Sequence, residues 1–399
     1  MRVVLTGLPV YSHLVPMVVP VARVLAAAGH DVVVATGSAM AEELERHGVT
    51  HLPLPRMLGP GQLGSDPEFA RSIGLSPEGV PLPQLEPLRP GEAFGRLFTG
   101  LGAVRTAADL LAAAADWRPD LIVRECTEFG GYLVAECLGV PCVTLDIAPL
   151  TPSRHPGILS RLNQSRGTLG LPPIADLATL TRWPWISWLP EAWYPPDLHT
   201  RAHRHYRAVE DVESILDPQI AELPAERPFV LATFGSNTGH MLTAGDETLL
   251  GRLVTALGTI DCTAVVALGS KIDPAGWDGP RPDNVNLTSF APQRLLLPTC
   301  DLFVTHAGFG GVREALTAGV PMVALPLYAE QPANARRIVE LGVGIAVESD
   351  DRDSATLAQT CQQVLNTPSY RQRARGIQRR YLSLPGRDGL VAELATLVA

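Results

Sequence analysis

A glycine-rich stretch in the second half of the chain, Thr305–Leu316, carries the strongest chemical signal in the sequence. Three of its glycines lie at or just before the start of a predicted helix, where backbone amides can approach a phosphate closely. His306 can donate to a phosphate oxygen, and Glu314 can accept hydrogen bonds from ribose hydroxyls. The stretch predicts a phosphate-binding turn, although such a turn alone is a weak signal.

Two further segments flank this turn. Upstream, Phe290–Gln293 offers an aromatic face for a base and an amide for a sugar. Downstream, Glu330–Gln331 follows a predicted strand that ends at Leu325, at the carboxyl edge of a sheet, where α/β proteins bind ligands. Together these elements indicate a site for a nucleotide and a sugar.

The first half of the chain contributes a histidine. His13 ends the loop Gly7–His13, at the carboxyl end of the first predicted strand. A histidine there can act as a general base near neutral pH, although an isolated loop histidine more often caps or packs. The loop lacks the G-x-G-x-x-G fingerprint, so hydride transfer from a nicotinamide is poorly supported.

Short β-branched runs alternate with helical stretches and must position these residues. The first half predicts strands at 2–6, 32–36, 120–124 and 141–145, and helices at 14–29, 39–47, 103–117 and 127–138. The second half predicts strands at 229–234, 263–268, 285–287, 301–305 and 321–325, and a helix at 311–318. This alternation predicts an α/β fold of two Rossmann-like domains with parallel sheets.

We place an N-terminal domain at 1–205, a linker at 206–227 and a C-terminal domain at 228–378, and expect a final helix at 379–399 to pack back toward the N-terminal domain. The stretch 181–197 holds four of the six tryptophans. It is either the last strand of the first domain with an apolar linker, or an aromatic wall of a binding cleft.

The composition argues against several partners. A formal net charge of −9 does not favour nucleic acid. None of the six cysteines forms a C-x-x-C pair, which favours buried free thiols in a reducing compartment. No apolar run reaches the ~18 residues of a membrane span, and no carboxylate cluster indicates Mg²⁺ ligands. We therefore expect a cytoplasmic protein with no metal, membrane or nucleic acid as partner.

The second-half motifs are Phe290-Ala-Pro-Gln293, His306-Ala-Gly-Phe-Gly-Gly311, Glu314-Ala-Leu316, Ala318-Gly-Val-Pro321, Pro326 and Glu330-Gln-Pro-Ala-Asn-Ala335. This run resembles the donor-binding signature of GT-B inverting glycosyltransferases, which use UDP- or dTDP-activated sugars. Within them the chain is most similar to bacterial enzymes that decorate macrolides, other polyketides and further antibiotics. The resemblance covers nearly the whole chain, more loosely in the first half. It implies two Rossmann-like domains whose sheets face a central cleft, the first domain for the acceptor and the second for the nucleotide-sugar.

The resemblance also implies roles for single residues. The implied donor site consists of Phe290 and Ala291 for the base, Gln293 and Glu314 for the ribose, His306, Gly308, Gly310, Gly311, Val312 and Ser236 for the diphosphate, and Glu330 and Gln331 for the sugar hydroxyls. His13 deprotonates the acceptor hydroxyl, and Glu125 orients His13, with Glu128 as the spare. We expect the acceptor contacts to include Tyr11, Glu128, Phe129 and Trp185.

Four positions depart from the family pattern. Ser12 stands where many relatives have glycine, and Val312 where serine or threonine is frequent, so one phosphate contact is lost. Glu330 and Glu125 both stand where aspartate is commoner. The extra methylene of Glu125 changes its reach toward His13.

The expected reaction is a single inverting displacement at the sugar C1, with no covalent nucleophile. Helix amides and His306 would stabilise the leaving diphosphate in place of a metal, so no cofactor is expected besides the dTDP- or UDP-sugar co-substrate. The expected acceptor is a hydrophobic aglycone, and a homodimer is possible. Two alternatives stay open: a nucleotide-sugar epimerase of the same fold, and a non-catalytic nucleotide-sugar-binding partner protein.

Overall fold

The computed structural model describes residues 1–59, 62, 65–75, 90–149, 156–209, 215–235, 245 and 248–398. The chain divides into two compact units. The first contains Met1–Trp188, Pro196–Asp211 and Pro385–Ala399, and the second contains Leu189–Pro195 and Val212–Leu384. The domain bounds predicted at 205, 228 and 378 stay a prediction.

A parallel sheet forms the centre of the first unit. Its described strands are β1 (Arg2–Thr6), β2 (Asp31–Thr36), β3 (His51–Pro53), β4 (Leu121–Glu125), β5 (Cys142–Leu145), β6 (Trp185–Ser187) and β7 (His203–His205). They lie in the order β3-β2-β1-β4-β5-β6-β7. Thr6 pairs with Arg124, and Glu125 pairs with Leu145, so the carboxyl ends of β1, β4 and β5 lie side by side.

Helices cover this sheet. The first-unit helices in the described ranges are α1 (Tyr11–His13), α2 (Val19–Ala27), α3 (Ala41–Arg46), α4 (Pro67–Ser72), α5 (Pro90–Thr99), α6 (Leu101–Ala114), α7 (Gly130–Leu138) and α8 (Pro156–Thr168). Because helices lie against both faces of a parallel sheet, its central strands are buried and read as continuous apolar runs, as in Val3–Leu5.

The second unit repeats this plan. Its described strands are β8 (Phe229–Thr233), β9 (Thr263–Ala267), β10 (Val285–Thr288), β11 (Leu302–Thr305), β12 (Met322–Ala324) and β13 (Gly344–Ala346), in the order β10-β9-β8-β11-β12-β13. Its described helices are α9 (Pro218–Ala221), α10 (Leu249–Gly258), α11 (Gln293–Leu296), α12 (Phe309–Ala318), α13 (Gln331–Glu340), α14 (Ser354–Asn366) and α15 (Pro368–Leu382). The last helix, α16 (Arg387–Thr396), contacts α2 of the first unit, to which it belongs.

Corresponding helix ends in the two units use the same device. Gly139 ends α7 with φ 68°, and Gly319 ends α12 with φ 73°. Each left-handed glycine stops its helix and starts a short turn into the next buried strand. The predicted α/β fold of two parallel-sheet units is therefore confirmed.

The predicted helix 14–29 is wrong in its detail. The helical chain begins at Tyr11, and Leu14–Val18 forms a π-helix before α2. Pro16 and Pro20 have no backbone N–H, so two carbonyls of a regular α-helix would lack their donors. The wider turn accommodates this, with the Val19 amide bonded to the Leu14 carbonyl.

The tryptophan-rich stretch contains a strand, as predicted, because Trp185–Ser187 forms β6 of the first sheet. It is not the last strand of that sheet, since β7 follows it. Trp188 is buried at the end of the first unit's segment. Trp193 is buried in the short segment that belongs to the second unit. The aromatic wall of a binding cleft stays a prediction.

By length and composition alone, the helical stretch Phe94–Ala114 is apolar enough to cross a membrane. A core helix produces the same pattern. Ala103, Ala107 and Leu110 of this stretch pack in the first unit's core, against residues that include Phe129. The expected cytoplasmic location stays a prediction.

Candidate active site

His13 lies at the end of α1, just beyond the carboxyl end of β1. The chain turns tightly here, since a Cβ at Gly7 would lie 2.9 Å from the Leu14 Cδ1 atom. The π-helix Leu14–Val18 follows at once, and π turns are frequent at functional sites. The His13 side chain is 28% exposed, which leaves the ring accessible to a ligand.

Glu125, the last residue of β4, is the carboxylate that the structure brings to His13. Its Oε1 lies 3.8 Å from His13 Nδ1, and its side chain is fully buried. Catalytic hydrogen bonds are often this long before substrate binds. Thr127 fixes the carboxylate, with its backbone amide 2.6 Å from Oε2 and its hydroxyl 2.6 Å from Oε1.

The charge of Glu125 is maintained by these neighbours. Burial alone would raise the pKa of Glu125, but the interactions with His13 and Thr127 outweigh it, and the pKa is lowered. Glu125 is therefore ionised at neutral pH. An ionised carboxylate beside Nδ1 can orient the imidazole and stabilise its protonated form.

Glu128 has a different task. Its Oε2 accepts hydrogen bonds from Thr6 Oγ1 at 2.5 Å and from the Gly131 amide at 2.8 Å, and its Oε1 accepts from the Gly130 amide at 2.5 Å. A Cβ at either glycine would lie within 2.8 Å of a Glu128 oxygen. Burial raises the pKa of Glu128. This carboxylate holds the start of α7, so Glu125 is the better partner for His13.

Arg124 is a site residue that the sequence analysis missed. It is 1% exposed, and its guanidinium donates to the carbonyls of Cys126 at 3.2 Å and of Glu128 at 2.9 Å. The guanidinium carbon lies 4.6 Å from the centre of the Phe129 ring. Arg124 thus holds the turn that follows Glu125. A charged residue within a predicted buried strand is the signal that could have identified it.

The other predicted acceptor contacts differ in accessibility. Tyr11 is 49% exposed, one turn before Leu14. Phe129 is buried against Arg124, and Trp185 is buried in β6 with its ring edge-on to His203. Their acceptor roles, and that of Glu128, stay predictions.

In the second unit, the turn between β11 and α12 places His306 at the carboxyl edge of the sheet. Its middle residue, Ala307, has φ 63°, a left-handed value that costs a non-glycine residue about 1–2 kcal/mol. The His306 ring packs against Gly235 and Gly308, where a Cβ would lie 2.8 and 2.4 Å from ring atoms. Burial lowers the pKa of His306 to about 4, against the smaller, opposite effect of its hydrogen bond to the Thr233 backbone, so at pH 7 the ring is neutral and carries one N–H.

Helix α12 begins directly after this turn, with Gly308 as its N-cap. The first-turn amides of a helix have no acceptor within it, so Gly310 and Gly311 can present theirs to an anion. A Cβ at Gly310 would meet no atom within 4 Å. The expectation for Val312 is corrected, because its amide donates to the Gly308 carbonyl at 3.1 Å and is thus used inside the helix. The backbone amide of Phe309, the first residue of α12, replaces that of Val312 among the first-turn amides.

Gln293 and Glu314, the predicted ribose contacts, lie together. Gln293 Nε2 donates to Glu314 Oε2 at 2.6 Å, and Gln293 Oε1 accepts from the Thr233 hydroxyl at 2.6 Å. Arg294 Nε donates to Glu314 Oε1 at 2.9 Å. Each carboxylate oxygen has a second lone pair, so Glu314 can still accept a ribose hydroxyl.

Phe290, the predicted base contact, is an exposed aromatic ring. Its side chain is 73% exposed, while Ala291 beside it is 6% exposed. The Thr288 hydroxyl donates to the Phe290 carbonyl at 2.9 Å and so fixes the loop. A planar base stacked on this ring would cover it.

The predicted sugar contacts lie at the start of α13. Glu330 is partly exposed, one residue before the helix. Gln331 is 3% exposed, and its Oε1 accepts from the backbone amides of Leu327 at 2.8 Å and Tyr328 at 3.0 Å. The oxygen of Gln331 therefore organises the loop before α13. Ser236, predicted at the diphosphate, lies outside the described residues.

Within the residues that the structure describes, no group of three or more His, Cys, Asp or Glu side chains is arranged to hold a metal ion.

Asn334 is a further residue near the predicted donor contacts, and the sequence analysis gave it no role although it lies in the motif Glu330–Ala335. Its side chain donates to the Ala307 carbonyl at 2.9 Å.

Several known proteins are similar in sequence to this chain. Residues 251–397 match the model of the erythromycin biosynthesis protein CIII-like C-terminal domain. The L-demethylnoviosyl transferase of Streptomyces niveus is 28% identical, over 98% of this chain and 98% of that protein. The tylactone mycaminosyltransferase of Streptomyces fradiae is 27% identical, over 100% of this chain and 93% of that protein.

A solved structure extends the comparison to the fold. The glycosyltransferase SsfS6 of Streptomyces sp. SF2575, complexed with thymidine diphosphate, has a TM-score of 0.73 and 24% identity, with 99% of each chain covered. The relatives are named as transferases, which gives no support to an epimerase or a non-catalytic partner protein. The chain is a glycosyltransferase of the GT-B fold, similar over its length to the transferases of antibiotic biosynthesis.

Proposed function

We propose that the chain transfers a sugar from a dTDP- or UDP-sugar to a hydroxyl of a hydrophobic aglycone, with inversion at C1 and with His13 as the general base. The observation that carries this proposal is the pairing of His13 with the buried, ionised Glu125, 3.8 Å away. Because Nδ1 faces Glu125, the other ring nitrogen, Nε2, is the atom that takes the acceptor proton. The charge on the resulting imidazolium is offset by Glu125.

The donor half of the proposal rests on the second unit. Phe290 stacks on the pyrimidine, the Gln293–Glu314 pair holds the ribose, and Glu330 reaches the sugar hydroxyls. His306 and the first-turn amides of α12 receive the diphosphate. The complex of SsfS6 with thymidine diphosphate supports a dTDP-sugar as the donor, with UDP-sugars as the alternative.

The leaving diphosphate gains negative charge as the C1–O bond breaks. The N-terminus of α12 carries a partial positive charge, and its amides donate hydrogen bonds without reorganising. We propose that these groups replace a divalent cation, so that activity survives chelation. The aglycone class rests on the tylactone mycaminosyltransferase of Streptomyces fradiae, whose name gives tylactone as its acceptor.

The first test is binding. We expect dTDP or UDP to raise the melting temperature of the wild-type chain, and ADP and NAD to leave it unchanged, since binding to the native state stabilises it. Flat curves with both pyrimidine nucleotides at millimolar concentration would overturn the donor site.

The second test is turnover with a panel of dTDP- and UDP-sugars and polyketide aglycones, followed by mass spectrometry. His13→Ala should lower kcat by about 10³-fold or more while leaving nucleotide binding unchanged. Glu125→Gln should keep the fold and nucleotide binding and lower kcat by about 10²-fold, because Gln cannot offset the charge on His13. Wild-type turnover that is insensitive to His13→Ala would refute the assignment of the base.

A further inference from the structure

Two alanines adopt a backbone conformation that normally favours glycine. Among the described residues, Ala307 with φ 63° and Ala329 with φ 55° are the non-glycine residues at positive φ. Ala307 separates His306 from Gly308, and Ala329 precedes Glu330. Strained backbone persists only where its surroundings enforce it, and it clusters at functional sites. Both alanines lie in the loops that the proposed donor site uses.

The turn at Ala307 is enforced from two sides. Its amide donates to the hydroxyl of Thr305 at 3.2 Å, at the end of β11. Its carbonyl accepts from Asn334 Nδ2 at 2.9 Å, on α13. Ala307, Thr305 and Asn334 are all fully buried, so water cannot replace these hydrogen bonds. Each peptide group of the strained residue is thus bound by a side chain of a rigid element.

The same helix supports the second strained loop. Gln331 accepts from the amides of Leu327 and Tyr328, just before Ala329. Gln331 and Asn334 are three residues apart on α13 and therefore lie on the same face of the helix. The first turns of α13 hold both loops, one through each amide side chain.

We propose that Asn334 is a positioning residue for the nucleoside diphosphate site: it holds the Ala307 turn in its left-handed form, which aims His306 and the first amides of α12 at the diphosphate. Asn334 itself does not touch the ligand. This inference rests on the proposed function, since it assigns a support to the donor site named there.

A buried asparagine could instead serve stability alone, and the chain offers a matched control. Asn163 in the first unit makes the same kind of contact, donating to the Ile174 carbonyl at 3.0 Å and accepting from the Ile174 amide at 2.9 Å. Asn163→Ala should lower the melting temperature without changing nucleotide affinity. Asn334→Ala should lower the melting temperature and also weaken nucleotide binding.

The experiment measures the Kd of dTDP and UDP by calorimetry for the wild type, Asn163→Ala, Asn334→Ala and Asn334→Leu, each checked for its fold by circular dichroism. Leucine is close to asparagine in shape but has no donor, so it keeps the packing if alanine does not fold. We expect either Asn334 variant to weaken binding by about tenfold or more, as misplacing a binding group does.

A rescue variant tests the cause. Ala307→Gly removes the strain of the left-handed turn, so it should recover a measurable part of the affinity lost in Asn334→Leu. Unchanged Kd values in the Asn334 variants, or a double variant no better than Asn334→Leu, would refute the role of Asn334. A wild-type chain that binds neither nucleotide would refute the donor site, and this inference with it.

Discussion

The two candidate histidines, His13 in the first unit and His306 in the second, have different roles because their surroundings differ. His13 faces the ionised Glu125, which suits a group that gains a proton during the reaction. His306 packs between two glycine backbones, where burial lowers its pKa to about 4 and keeps it a neutral donor. The sequence identified both residues from the carboxyl ends of strands, but it could not distinguish their charge, which depends on contacts distant in the chain.

The neutral state of His306 has a consequence for stability at acid pH. The unfolded chain protonates this ring near the usual value of 6.5, whereas the folded chain does so only near 4. Between these values the unfolded state binds more protons, so the free energy of unfolding falls as pH falls through the window. From pH 7.5 to 5, this group should contribute a loss of about 2 kcal/mol.

Urea denaturation at the two pH values checks this. We expect His306→Gln to show a smaller loss than the wild type by about that amount, since glutamine does not titrate. Equal losses in the two proteins would contradict the low pKa of His306.

At the scale of elements, most of the described strands were predictable, but β3, β7 and β13 were missed, and the turns after the strands were not predictable. The buried β-branched runs fixed the strand positions within a residue or two, and that placed His13, Glu125 and His306 at sheet edges. The π-helix after His13 was missed, because the apolar spacing over 14–29 is the same as that of an α-helix. Val312 was assigned one residue too far along, because the start of α12 depends on the Gly308 cap and not on the apolar pattern.

Arg124 links the strand β4 to the turn that holds Glu125. We expect Arg124→Met to lower the free energy of unfolding by about 2–4 kcal/mol, because buried carbonyls lose their charged donor. It should also reduce kcat, while the Kd of dTDP, for which we propose a site in the second unit, stays unchanged. The exposed Arg71→Met serves as the control, with no change expected in either quantity. A variant as stable as the wild type would contradict this role.

At the scale of the whole molecule, two short segments belong to a different unit from the residues that precede them in the chain. Leu189–Pro195, which follows β6 directly, belongs to the second unit, and α16 belongs to the first. Arg337 of α13 holds the former segment, with Nε 2.7 Å from the Trp193 carbonyl and a terminal nitrogen 2.9 Å from the Ala192 carbonyl. The contact joins residues that are 144 positions apart, so no local pattern in the sequence reveals it.

Arg337 should be sensitive even to a conservative change. Lysine lacks the planar fork that reaches several carbonyls at once. We expect Arg337→Lys to lower the free energy of unfolding by about 1–3 kcal/mol in urea denaturation. Its exposed neighbour supplies the matched control, Arg336→Lys, which should lie within about 0.5 kcal/mol of the wild type. Similar values for both variants would show that the contact adds no stability.

The assignment of Leu189–Pro195 to the second unit sets a rule for building hybrid enzymes. If the second half were exchanged from Pro196 onward, Trp193 and its partner Arg337 would come from different parent proteins. A graft of Leu189–Pro195 together with Val212–Leu384 keeps that contact within one parent, and the recipient retains its own Pro196–Asp211 and α16. Such a hybrid should therefore be joined at four seams, after residues 188, 195, 211 and 384, rather than at one.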